Sequence, residues 1–256
     1  MKPSSKALVA CAALASAQAA LATPSTTFWT PATGYVQPYL VPHLTYDTYV
    51  AERGGFQNDY GLTVGVLPWE KLQGEIGFDT FYPGYTDKNF YLNGKLTVPE
   101  NAYGAWQPAV SLGVMNLGFK KDVTDYDILH ANLAKTFPYV GNVAIGGYYG
   151  LNDKLMVGSD GKTQQAGFLA AWTSPDIVLN FPGLQKIALM ADLQTGKNAF
   201  GAVGGGIGLY FTPAIDVLTG PVYFLDPKAM ASGPLHPNWL WTVQLDVDVD
   251  FMKKKT

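Results

Sequence analysis

Period-two alternation is the feature that most restricts this chain. Near its end the stretch WTVQLDVDVDF, residues 241–251, sets Trp241, Val243, Leu245, Val247, Val249 and Phe251 against Thr242, Gln244, Asp246, Asp248 and Asp250. Two residues is the side-chain repeat of a β-strand, so the apolar groups share one face and the polar groups, three carboxylates among them, share the other. Such a strand has two homes. In a soluble sandwich the apolar face meets a core and the acids meet water; in a transmembrane barrel the apolar face meets lipid and the acids meet a wet interior.

The same alternation recurs at residues 43–50, 61–67, 72–82, 89–98, 107–119, 127–137, 142–151, 164–173, 186–194, 200–211 and 215–225, with no sustained helical period after the N-terminus. With the terminal stretch this predicts an all-β fold, a closed antiparallel transmembrane β-barrel of about 12 strands, an even number that places both ends on one side. The connections alternate as well. Longer loops at 53–59, 84–88, 120–125, 152–163, 195–199 and 226–238 alternate with tight turns such as PWEK at 68–71, PYVG at 138–141 and TPA at 212–214. The long gap 174–184 is the exception. Trp69, Trp106 and Trp172 fall at the turn side and Trp239 and Trp241 at the other, the distribution an interfacial aromatic girdle requires.

The N-terminus reads as a secretory signal peptide over 1–22: Lys2 and Lys6, then an alanine-rich apolar run ending in Ala20-Leu21-Ala22. The alternative is a lipoprotein box at Leu8-Val9-Ala10-Cys11, but only four apolar residues separate Lys6 from Cys11, too few for the apolar region such a signal needs. Cleavage after Ala22 removes Cys11 and with it thiolate chemistry. It also takes Lys2 and Lys6 from the 17 basic residues, leaving 15 against 20 acids, net −5, which argues against a nucleic-acid partner. Residues 23–42, with Pro24, Pro31, Pro38 and Pro42, are poor strand material and form an irregular periplasmic lead-in that partly enters the barrel. Residues 43–251 then make one barrel domain, and 252–256 a short tail.

The Asp246, Asp248 and Asp250 spacing opens like an EF-hand loop, but that loop needs glycine at its sixth position and a carboxylate at its twelfth, and Phe251 follows at once. The solvated strand face is the simpler account. A basic residue on the lipid face costs roughly 2–4 kcal/mol at mid-bilayer, acids less, so these acids turn inward. Barrel closure then sets them beside the first strand, whose inward positions include His43, Thr45, Asp47 and Tyr49. Glu75, Asp79 and Lys95 lie on the polar faces of their strands. We therefore expect Asp246, Asp248, Asp250, Asp47, His43, Glu75, Asp79 and Lys95 to line a cation-attracting lumen, with a protonated His43 gaining from the acid column. Arg53 is the only arginine, so the chain cannot build an arginine-lined constriction.

Small inward residues, Ala144, Gly146, Gly167, Ala171, Gly204, Gly206 and Gly208, have two explanations: they admit packed aromatics such as Tyr148 and Tyr210, or they leave space for solute. Twelve strands about 4.8 Å apart, tilted about 40°, enclose a lumen of roughly 10 Å. Nothing in the chain suggests catalysis. His43, His130 and His236 lack a Gly-x-Ser-x-Gly or His-x-Ser companion, and the inward pair His130 and Asn132 suits a satisfied polar wall better than a triad. The run Gly204-Gly205-Gly206-Ile207-Gly208 lacks phosphate-loop spacing and a following helix. Neither a metal nor a cofactor is expected. One lysine conflicts with the alternation: Lys135 falls on an outward position, which requires a place at the rim or a bulge.

The alternating terminus ending at Phe251 resembles the signal by which bacterial outer-membrane barrels are recognised for assembly, although five residues follow the aromatic here. The stretches TTFWTPATG, GLTVGVLPWEK and TGKNAFGAVGGGIGLYFTP resemble an uncharacterised family of Gram-negative outer-membrane, porin-like proteins. That resemblance implies a bacterial outer-membrane location, with outer-membrane lipid and the barrel assembly machinery as partners. The function expected is passive diffusion of small polar solutes or cations, as a single barrel or an oligomer; the alternative is a non-conducting barrel serving as anchor or scaffold.

Overall fold

Each alternating segment pairs with the next, because a lone amphipathic strand leaves its backbone donors and acceptors open and only a neighbour in register can take them. A computed structural model of the chain describes residues 26–84, 86–87, 89–229 and 237–251. The expected signal segment with Cys11, the tail 252–256 and His236 lie outside them. Among the described residues thirteen strands form one antiparallel sheet: β1 Pro42–Ala51, β2 Phe56–Gly65, β3 Gln73–Tyr82, β4 Phe90–Val98, β5 Ala109–Gly118, β6 Ile128–Phe137, β7 Gly141–Gly150, β8 Ala166–Thr173, β9 Ile177–Phe181, β10 Leu184–Gln194, β11 Ala202–Thr212, β12 Ile215–Phe224 and β13 Trp239–Asp248.

Twelve of them close into a barrel. β13 meets β1 in a continuous ladder from His43 opposite Asp248 to Ala51 opposite Leu240, so the wall has no free edge. The remaining strand, β9, accounts for the long gap at 174–184. Pro175 interrupts β8, and the chain then resumes against the base of β10, with Ile177 opposite Ile187 and Val178 opposite Lys186, as a hairpin that extends the wall past its turn rim. Lys186 and Asp176 clasp it at 2.7 Å.

The wall is inside out relative to a soluble domain. Outward positions carry Leu44, Ile76, Leu96, Leu112, Leu129, Leu133, Ile145, Phe168 and Val243, all exposed, while the inward positions of the same strands are buried and mostly polar or small. Apart from β9 the strands run 8 to 11 residues, and at about 3.3 Å per residue and a tilt near 40° such strands span roughly 25 Å. Trp69 and Trp106 sit exposed on the turn rim and Trp241 near the loop rim.

Lys135 keeps its outward position, opposite Val143 and without a bulge. It is tolerated because the turn between β4 and β5 wraps it: its Nζ donates to Asn101 Oδ1 at 2.8 Å and the Ala105 carbonyl at 2.7 Å, and pairs with Glu100 at 2.8 Å.

Candidate functional site: a filled lumen and its acidic seam

The lead-in does more than enter the barrel: residues 26–41 run through it. Their backbone has no ladder of its own, so its polar groups take partners from the wall. Asp192 on β10 accepts from the backbone N–H groups of Trp29 at 2.7 Å and Thr30 at 3.0 Å and from the Thr27 hydroxyl. The Gln244 amide on β13 donates to the Phe28 carbonyl and the Asn132 amide on β6 to the Pro31 carbonyl. Ser111 on β5 donates to the Thr33 carbonyl, Lys95 on β4 to the Thr33 hydroxyl, and Glu75 on β3 accepts from the Gln37 N–H. Six wall strands thus hold one segment.

Packing completes the fit. Phe28 and Thr30 are almost wholly buried, at 1% and 0% exposure. Phe28 lies over the inward glycines of β11: a Cβ added at Gly204 would meet the Phe28 Cβ at 3.0 Å, and one at Gly206 the ring at 2.9 Å. Gly34 in turn slots between Ala109 and Ala134. The small inward residues therefore make room for a neighbour rather than for solute, with Tyr148 doing the same over Gly167 and Tyr210 over Gly208. The plug leaves two cavities, of about 260 Å³ toward the loop rim and about 500 Å³ toward the turn rim.

The closing seam is acidic. His43 stands between two carboxylates, with Nδ1 2.7 Å from Asp248 and Nε2 3.0 Å from Asp246. Both partners are acceptors, so the pairing is complete when both ring nitrogens carry a proton. Asp216 on β12 faces Asp246 across the next ladder, fully buried and with neither oxygen hydrogen-bonded. Asp47 lies opposite Asp59 on β2, and Asp79 on β3 sits opposite Gly61. Tyr49 donates to Asp47 at 3.0 Å and Asn93 to Asp79. Lys95 on this wall is turned to Glu75 at 3.7 Å and to the plug.

No protein-family model and no curated protein matches the chain. Among solved structures it is similar to the NanC porin, with 10% identity and a TM-score of 0.48, the match covering 82% of this chain and 100% of that one. It is also similar to an outer-membrane channel from Pseudomonas putida F1, at 11% identity and a TM-score of 0.44 over 84% of this chain and 97% of that one.

Seven of the eight residues expected at the lumen, Asp246, Asp248, Asp47, His43, Glu75, Asp79 and Lys95, are on inward strand positions. The structure divides them into three groups: His43 with Asp246 and Asp248, Glu75 with Lys95, and Asp47 with Asp79 on the cavity that Asp59 also lines. Asp250 is different, because β13 ends at Asp248 and Asp250 lies beyond the strand. Three inward carboxylates escape the sequence reading. Asp59 falls in a loop by periodicity, since its neighbour Asn58 puts a polar group on the outward face; Asn58 is accommodated there by hydroxyls of Tyr46 and Thr48. Asp192 and Asp216 do alternate with apolar residues, and that alternation was the available signal.

Proposed function

We propose that the chain is a bacterial outer-membrane barrel of channel type whose passage is closed in this state by its own residues 26–41, and which admits small polar solutes, cations first, when that segment shifts. The observation that carries this reading is the inverted polarity of the wall: exposed aliphatic side chains outside, and inside a polar, acid-rich surface with a cavity on each side of the plug. An apolar belt of roughly 25 Å fits a bilayer interior and no aqueous setting. A polar lumen with space in it is what solute passage uses, and the excess of Asp over Lys on the seam favours cations.

The burial of Phe28 and Thr30 favours a second reading, a permanently shut barrel acting as anchor or scaffold. Planar-bilayer recording in a KCl gradient separates the two. On the channel reading the intact protein opens rarely, Asp192→Ala opens more often, and the reversal potential reports cation preference that falls when Asp47 and Asp246 become Asn. Silence of both the intact protein and Asp192→Ala, with insertion verified, gives the scaffold.

A further inference from the structure

The cavity toward the loop rim has a chemistry that passage alone does not call for. Asp47 and Asp59 face each other across the β1–β2 ladder, and Asp79 projects one step along. Like charges opposed in this way repel. Among the described residues no lysine, arginine or histidine forms an ion pair with any of the three. Asp47 and Asp59 are more than nine-tenths buried, both line the cavity, and each keeps one carboxylate oxygen without a hydrogen-bond donor. A buried carboxylate that keeps one oxygen without a donor and has no ion-pair partner is costly. The wall therefore lacks positive charge at a definite place.

The rest of the wall says what kind of charge fits. Trp29, Phe81 and Tyr91 line the same space, with the Phe81 and Tyr91 rings edge to face at 5.7 Å. Aromatic faces attract ammonium groups and shelter short alkyl chains. Among the described residues no group of three His, Cys, Asp or Glu side chains is arranged to hold a metal ion. A cavity of about 260 Å³ lies below the roughly 300–1,000 Å³ of pockets for drug-sized ligands. We propose that this cavity is a binding site for a small organic cation, a primary amine or diamine, whose ammonium group sits against Asp47 and Asp59 and whose alkyl chain lies along the aromatic wall. The site depends on the plugged barrel, since Trp29 belongs to the plug, and not on conduction.

The test is calorimetric titration of the full-length protein in nanodiscs with 1,4-diaminobutane, using 1,4-butanediol as the uncharged counterpart. Saturable one-to-one binding of the diamine, none of the diol, and a loss of more than tenfold in Asp47→Asn with Asp59→Asn and Asp79→Asn are expected. Asp122→Asn, whose carboxylate pairs with Lys154 and does not line the cavity, should bind like the parent. Failure of the diamine to bind, equal binding of the diol, or unchanged affinity in the triple variant overturns the proposal. Heat-modifiable mobility on a denaturing gel checks that the triple variant is folded; if it is not, the single variants Asp59→Asn and Asp79→Asn are titrated, and unchanged affinity in both has the same force. Diamine binding by a barrel that is silent in bilayers would sink the channel reading and leave this one standing.

Discussion

The two sides of the lumen are built on opposite plans. Along β5 to β8 and β10 to β12 the wall sets small and apolar side chains among its polar ones, and the plug packs on them: Ala32 packs among Ala109, Ala134 and Ala144, and Phe28 among Met190, Leu218 and Val222. Along β13 and β1 to β4 the wall carries opposed carboxylates and keeps a cavity. Where the plug is seated its backbone groups find partners, Asp192 accepting from Thr27, Trp29 and Thr30, while Asp47 and Asp59 on the seam oppose each other and each keeps a donorless oxygen. Stability therefore resides in the apolar packing of the plug, and the capacity to bind in the opposed carboxylates beside it.

That contrast is open to attack by substitution, each variant followed by urea titration of the reconstituted barrel. Phe28→Ala should cost the most, about 3–5 kcal/mol, because it empties the space over Gly204 and Gly206. Asp192→Ala follows: it leaves the Trp29 and Thr30 N–H groups buried without acceptors, at about 1–3 kcal/mol each, less whatever the freed plug recovers. Asp59→Asn on the seam should go the other way, neutral or stabilising by about 1 kcal/mol, since it removes one of two opposed charges. A large destabilisation there would mean that the seam carries stability too, and the contrast would fail.

The smallest effect belongs at the rim, away from both sides. Burial pushes the Glu100 carboxyl up, but hydrogen bonds from Lys135 and Thr136 outweigh it and hold it below its ordinary value of 4.5. With the folded-state value depressed, the pair's contribution is present above about 4.5 and is lost as pH falls through the lowered value. Glu100→Gln should cost under about 1 kcal/mol at neutral pH, and parent and variant should converge in strongly acidic buffer. Divergence on acidification would reverse the sign.

Much of this was legible in the chain. The barrel follows from alternation together with the even segment count, the alternating loop lengths and the tryptophans at both rims, and the inward placement of Asp246 and Asp248 follows from the same parity. The plug was not. Residues 26–41 have no period because their partners are strands up to 216 residues distant, as in the bond from Gln244 to Phe28, and a contact made by an irregular segment leaves no local signature. The small inward glycines and alanines were the visible half of that contact. They gave the shape of a vacancy and not its occupant. The β9 hairpin was hidden for another reason: Pro175 breaks one strand into two pieces, and only the partner strand β10 shows them to be collinear.

The continuity of the plug with β1 bears on how the molecule is made. β1 is the strand that β13 must find to complete the ring, and the segment leading into it already carries the acceptors and donors that β3, β4, β5, β6, β10 and β13 engage. Each of those bonds can form as its strand arrives, so the N-terminal segment can serve as a mandrel on which the wall is wound. The last bond in chain order, from Gln244, belongs to the strand that shuts the cylinder. Winding and sealing then end in one step.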